Sequence, residues 1–220
     1  MKKFYFLLVT LLMAGSVTAS AQFMGSSSRV SSTAEGYNSV WVNYAPTTIK
    51  STGGLDVSIS GINTFSFGVL HTAPLPNTPL LWEVGANLEY AHKKGSFILS
   101  DDATLNVFAI KVPLNIVYAL PLSDGIMAYP FLGLNARGYL TGTLKEKDWD
   151  DDVYYTVNIF SNDEDDMDGD AFKRFSLGYQ LGLRVGFSKY FASISYGGDF
   201  VKIAEDTTIN MVTLGLGMAF

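Results

Sequence analysis

The chain has 220 residues, 48% hydrophobic and 16% charged, with 21 glycines, no cysteine and a formal net charge of −6. The lack of cysteine excludes disulfides, thiolate metal sites and a lipid-modified N-terminal cysteine, and the acidity argues against nucleic acid as a partner. The length suits a single domain, because sandwiches and barrels of this size routinely stay undivided.

Lys2 and Lys3, the apolar run Phe4 to Ala14 and the tripeptide Ala19-Ser20-Ala21 before Gln22 predict a secretory signal peptide over 1–21. Its removal leaves about 199 residues, and losing the two lysines takes the net charge from −6 to −8. Nothing after Gln22 offers the ~20 continuous apolar residues of a spanning helix. The Ser-rich stretch 22–35 reads as a flexible lead-in, and 36–220 as one β-barrel domain.

From Gly36 onward apolar residues alternate with small or polar ones, the strand period. Eight segments show it: 36–46, 61–71, 80–92, 104–119, 128–142, 173–187, 190–200 and 209–220. Each is long enough for a tilted strand of ~9 to 11 residues to cross a bilayer. Along the apolar parity, aromatic residues mark the ends of the runs. The third segment reads Trp82, Val84, Ala86, Leu88, Tyr90, and the fourth runs from Phe108 to Tyr118. The sixth runs from Phe175 to Phe187 and the seventh from Tyr190 to Phe200. Such spacing suits an apolar band ~25 Å tall flanked by aromatic girdles. The opposite parity collects Asn43, Ser66, Asn87, Asn115, Asn135, Ser176, Gln180, Ser193 and Ser195, many glycines, and six charges: Glu83, Glu89, Lys111, Arg137, Arg184 and Asp199. A soluble sandwich or ligand-binding barrel would alternate too, but its water-facing parity would carry Lys, Glu and Asp in most strands. The pattern therefore predicts an all-β, eight-stranded, antiparallel up-and-down transmembrane β-barrel in the cell outer membrane, in contact with outer-membrane lipid. Pro113, which cannot donate to a ladder, is expected to mark a bulge.

With the N-terminus in the periplasm, the outer connections fall at 47–60, 93–103, 143–172 and 201–208, and the inner ones at 72–79, 120–127 and 188–189. The outer set is longer, as outer-membrane barrels require. Residues 144–170 hold eleven acidic residues against Lys145 and Lys147, a local charge of −9. The ordinary reading is a solvated, repulsive surface loop. Clustered carboxylates also suit a hard divalent cation, but the register departs from an EF-hand: Gly169 as sixth position places Phe175 at the twelfth, where a bidentate Glu is needed.

The interior of an eight-stranded barrel is just filled by its own side chains. The three acids and three bases on the inward parity are therefore expected to form a mutually neutralising lumen ion network. His71 and His92 fall near opposite ends of adjacent strands, which opposes a shared site. His92 with Ser96, Asp101 and Asp102 could be arranged on a rim, but no nucleophile motif accompanies them. No enzyme activity and no cofactor are expected.

Several stretches resemble the PorT-like outer-membrane β-barrel family: Ile110-Lys111-Val112-Pro113-Leu114, Tyr129-Pro130-Phe131-Leu132-Gly133-Leu134, Phe175 to Gly182, and Phe191-Ala192-Ser193-Ile194-Ser195-Tyr196 before Gly197. The resemblance covers most of 36–220. It implies a small barrel broadly of the OmpA or OmpX type and brings no catalytic residues. The terminal Phe220, with Val212, Leu214, Leu216 and Met218 at alternate positions before it, resembles the signal read by the barrel assembly machinery. The expected role is a non-enzymatic barrel whose extracellular loops serve surface interaction or envelope structure, with a surface or envelope protein as partner. The alternatives are an accessory component of a secretion or transport assembly, to which one family member is linked, and a gated narrow pore.

Overall fold

The computed structural model describes residues 36–51, 57–95, 102–147, 154–160, 172–201 and 207–220. Ten strands run through them: β1 (Tyr37–Ser51), β2 (Val57–Pro74), β3 (Leu80–Gly95), β4 (Ala103–Tyr118), β5 (Leu120–Ser123), β6 (Ile126–Lys147), β7 (Tyr154–Asn158), β8 (Phe175–Phe187), β9 (Tyr190–Asp199) and β10 (Thr207–Ala219). The sheet order is β4-β3-β2-β1-β10-β9-β8-β6, every pairing is antiparallel, and β6 pairs back onto β4. Eight long strands thus close into a barrel, with β5 and β7 as short additions on β6. Closure satisfies the backbone groups of each long strand on both sides, which a hydrocarbon environment demands.

The alternation in the sequence becomes an inversion of the usual burial. Leu216 is 70% exposed, Leu132 67% and Leu88 60%, whereas Glu83 is 0% exposed and Arg137 and Arg184 are 3% each. An outward coat of Leu, Val and Phe around an inward set of charges is stable only where the coat meets acyl chains. The chain is accordingly a membrane-embedded barrel of the outer-membrane type. One girdle is visible in the register: Tyr44, Phe65, Tyr90 and Phe108 are successive partners across β1, β2, β3 and β4. Their ring centroids stand 5.2 Å apart for Tyr44–Phe65 and 4.7 Å for Tyr90–Phe108. At the other end Phe187 pairs with Tyr190.

Three expectations are revised. Pro113 marks no bulge: its partner is Asn135 in an unbroken β4–β6 register, and the β3–β4 ladder merely lacks pairs between Val84↔Leu114 and Asn87↔Lys111. One missing donor is absorbed locally without a slip in register. The bulges lie elsewhere. Phe108↔Thr141 is followed by Ala109↔Tyr139, which makes Leu140 the extra residue in β6. In β2 the shift falls beside Gly61, whose φ of 78° needs glycine. The outer connections are also shorter than expected, because pairing continues to Ser51↔Val57 and to Gly95↔Ala103. Beyond the apolar band the outward positions turn polar, as at Lys50 and Lys94, while Ile49 and Leu105 stay inside, so the outward apolar signal fades while the backbone ladder continues. Finally, the expected loop 143–172 is interrupted by β7, which folds back onto 143–147 of β6.

Residues 148–153 and 161–171, with nearly all the carboxylates of that segment, lie outside the described residues, as do the signal peptide and the lead-in. The cation reading of the acidic loop therefore lies outside them too. The opposite end is made of tight turns: Asn77 with φ 61°, Gly125 after Asp124 with φ 76°, and Ser188 with φ 54°. Short turns belong on the periplasmic side of such barrels, so this end is assigned to the periplasm.

Bulky inward side chains at the periplasmic end need small residues opposite them. A Cβ on Gly217 would meet ring carbons of Trp41 at 2.5 to 2.8 Å. Gly217→Val should lower stability by about 1–3 kcal/mol through overpacking. Gly138→Ala, where nothing lies within 4 Å, should stay within about 0.5 kcal/mol of wild type. Urea unfolding from lipid vesicles measures both.

Candidate functional site

The lumen is layered along the barrel axis. At the periplasmic end Tyr37, Trp41, Leu70, Leu81, Val117, Tyr129 and Phe191 form a buried apolar cluster. Tyr37 and Trp41 stack on Phe191 at centroid distances of 5.9 and 5.8 Å. Inward parity on β1, β6 and β9 brings these rings together, and the glycines of β8 and β10 admit them: a Cβ on Gly186 would crowd Phe191 at 2.8 Å.

Against this cluster sits the first ion pair. Arg184 of β8 reaches Glu83 of β3 with Nη1 donating to Oε2 at 2.8 Å and Nη2 donating to Oε1 at 3.1 Å. The Thr72 hydroxyl and the Asn115 amide also donate to Glu83, at 3.0 and 2.8 Å. Four donors occupy the roughly four lone-pair sites of the carboxylate. The guanidinium lies 4.5 Å from the Trp41 ring centroid and 5.6 Å from that of Phe131, so its faces meet π-systems while its edge meets the carboxylate.

The second cluster lies nearer the outer end. Arg137 of β6 donates from Nε to Glu89 Oε2 at 2.7 Å and from Nη1 to Asp199 Oδ1 at 3.1 Å. Lys111 Nζ stands 3.0 Å from Glu89 Oε1. The two cations and two carboxylates neutralise one another, as buried charges must.

The sequence-predicted residues thus separate into a pair and a quartet. Among the described residues no ion pair joins the two groups. They are separated by neutral amides, with Gln180 Nε2 donating to Asn115 Oδ1 at 2.7 Å. The void beside the quartet, lined by Asn135, Gln180, Gly197 and Thr213 among others, is about 10 Å³, the size of one water.

Above the quartet the lumen opens into a cavity of about 270 Å³. Glu89 and Arg137 form its floor, and its wall includes Ile49, Ile62, Ala91, Leu105, Leu144 and Met211. Ile159, Phe160 and Phe172 cover part of it. They are held by backbone bonds from Ile159 N to Gly142 O at 3.2 Å and from Phe172 N to Ile159 O at 3.0 Å, with Phe160 stacked on Tyr139 at 5.4 Å. Sequence reasoning missed this cavity. The bulge at Leu140 reverses the parity of β6, so Leu144 and Glu146 turn inward although period two carried forward from Arg137 points them out.

The histidines are kept apart. His71 Nδ1 is 2.9 Å from Asn38 Oδ1, and its ring packs edge-on against Trp82 near the periplasmic rim. His92 Nδ1 is 2.9 Å from Asn106 Oδ1 at the outer end. Ser96 and Asp101 lie outside the described residues, and Asp102 accepts from the Tyr154 hydroxyl at 3.0 Å. On β10 Val212, Leu214 and Leu216 face outward, and the terminal Phe220 is 47% exposed.

No protein-family model and no curated protein matches the chain. Among solved structures it is similar to Ail, the attachment invasion locus protein of Yersinia pestis, at 16% identity over 85% of this chain and 100% of that one, with a TM-score of 0.48. It is similar to Neisserial surface protein A at 13% identity over 83% and 97%, with a TM-score of 0.46. It is also similar to the outer membrane enzyme PagL at 12% identity over 82% and 98%, with a TM-score of 0.49. At such identities the likeness concerns shape alone, and the barrel stands on its own ladder and burial pattern.

Proposed function

We propose that the chain is a sealed, non-enzymatic outer-membrane barrel that acts at its extracellular end, in surface interaction or envelope structure. The observation that carries this reading is the double closure of the lumen: an aromatic cluster with Glu83–Arg184, then the quartet around Arg137. The six lumen charges serve as a structural plug. The outer end carries the added material, since β6 spans 22 residues against 10 for β9, and β7 is laid against its tip. Residues 143–172 are the candidate contact region for a surface or envelope protein. Residues 1–21 direct export, and the outward row of β10 ending at Phe220 is what the barrel assembly machinery reads.

Planar-bilayer recording tests the sealed lumen. Purified wild type should be electrically silent, and Arg137→Ala should stay silent because the periplasmic cluster still blocks the path. A steady open conductance from wild type overturns the reading, and one that appears only in Arg137→Ala makes the quartet a gate. Protease shaving of intact cells should cut within 143–172; protection there reverses the assigned orientation.

A second reading, an accessory component of a secretion or transport assembly, draws on the PorT-like stretches. Two of them supply packing: a Cβ on Gly182 would meet the Phe131 ring at 2.7 Å. Such motifs favour a shared architecture over a shared partner. Copurification in mild detergent separates the readings, because a stoichiometric envelope partner supports the second and a lone barrel the first.

A further inference from the structure

We infer that the outer-mouth cavity is a binding site for an alkyl chain of about ten carbons, entering from the extracellular side with any polar head left at the rim. The inference rests on the proposed action at the extracellular end and gives that reading a ligand class.

The volume sets the size. A cavity of about 270 Å³ is far larger than the voids of a packed interior. By proportion with apolar cavities of ~150 Å³ that hold benzene, it takes about ten carbon atoms.

The lining sets the chemistry. Ile49, Ile62, Ala91, Leu105, Leu144 and Met211 offer only hydrocarbon and a thioether. The charged groups on the floor are engaged, and among the hydroxyls of the lining only that of Tyr139, buried beside the quartet, has no hydrogen-bond partner among the described residues. The Thr47 hydroxyl lies 3.0 Å from that of Thr64 and donates to Ala45 O at 3.2 Å. Glu89 is engaged by both Lys111 and Arg137, and Arg137 also by Asp199 and, at 3.5 Å, by the Met211 sulfur. A charged group carried to this floor would lose its hydration and find no counter-charge in need of a partner. The inserted part of a ligand is therefore uncharged. Water also gains little there, because a water needs 2–4 polar partners.

The rim sets the head-group preference. The exposed Lys173 and the half-buried Glu146 border the cavity with one charge of each sign. The site selects the chain and is indifferent to the charge of its head.

Methyl NMR of the full-length barrel in phospholipid nanodiscs tests this with straight-chain alcohols from butanol to dodecanol. The methyls of Ile62, Leu105, Leu144 and Met211 should shift saturably. Affinity against free aqueous alcohol should rise by about fourfold per methylene, the burial value of a CH₂, and level off near about ten carbons. Decanoate and decyltrimethylammonium should bind within about tenfold of decanol. Ala91→Phe should fill the space and weaken decanol binding by at least about tenfold; if that variant does not insert, Leu144→Trp serves the same purpose. Shifts that grow linearly and appear equally at lipid-facing Leu132 and Leu216 mean bilayer partitioning only and overturn the inference. So does unchanged binding in a filled variant that inserts, or a preference above about tenfold for one head charge. Conductance is read separately: failure here leaves the sealed-barrel reading standing, and an open wild-type channel sinks that reading whether or not alcohols bind.

Discussion

Arg184→Met should cost the barrel about 3–5 kcal/mol, and combining it with Glu83→Gln should restore most of the loss. Glu83 is 0% exposed and receives two of its four hydrogen bonds from Arg184. Without the guanidinium, Thr72 and Asn115 remain, two neutral donors for a charge buried beside the cluster of Trp41, Tyr37 and Phe191. The penalty is that of an uncompensated buried charge, and it far exceeds the value of the two bonds themselves. Glu83→Gln alone should cost less. The amide oxygen can still accept from Arg184, and the guanidinium keeps its place 4.5 Å from the Trp41 centroid. In the double variant no charge remains. The glutamine amide can donate to Thr72 and accept from Asn115, and methionine fills the volume between the rings. Urea unfolding from vesicles, followed by the gel-mobility change of folded barrels, gives the four free energies of the cycle, whose coupling term isolates the pair. A single-variant loss below about 1 kcal/mol would mean that water reaches Glu83, and the periplasmic seal would fall with it.

The strands were legible because a lipid-facing coat imposes one chemical demand on every second residue. Wherever that demand holds, from Trp82 to Tyr90 or from Leu177 to Val185, parity alone places the charges inside. What parity cannot give is which cation meets which carboxylate. Glu83 and Arg184 are 101 residues apart and stand on β3 and β8, which are not neighbours in the sheet. Their meeting depends on the stagger of the strands around the barrel, so one expected network proved to be two groups. Parity also hid the inward aromatics. Trp41, Tyr129 and Phe191 share the small-residue face, where a hydrophobicity test discounts them. Gly215 and Gly217 on β10, facing Trp41, were the readable trace of that packing. The mouth cavity was harder still, since it depends on a single extra residue at Leu140 that no local composition announces.

Leu134→Arg should destabilise the barrel by about 2–4 kcal/mol, whereas the same substitution at Phe187 should cost about 0–1 kcal/mol. Both positions face outward, Leu134 at 55% exposure and Phe187 at 62%. In a water-soluble barrel such positions would be equivalent, and either change would fall within about 0.5 kcal/mol of zero. The lipid distinguishes them by depth. Leu134 is paired with Leu114, about halfway along β4 between its aromatic ends Phe108 and Tyr118, so an arginine there lies near the middle of the hydrocarbon. Phe187 precedes the Ser188 turn and pairs with Tyr190, so an arginine there can extend into the headgroups. The difference between two equally exposed sites measures depth in the membrane and cancels the general cost of introducing arginine into a strand. Equal small losses at both sites would show that the outward coat does not meet hydrocarbon. A barrel with that coat in water would have no account of why Glu83, Arg137 and Arg184 are the residues turned inward.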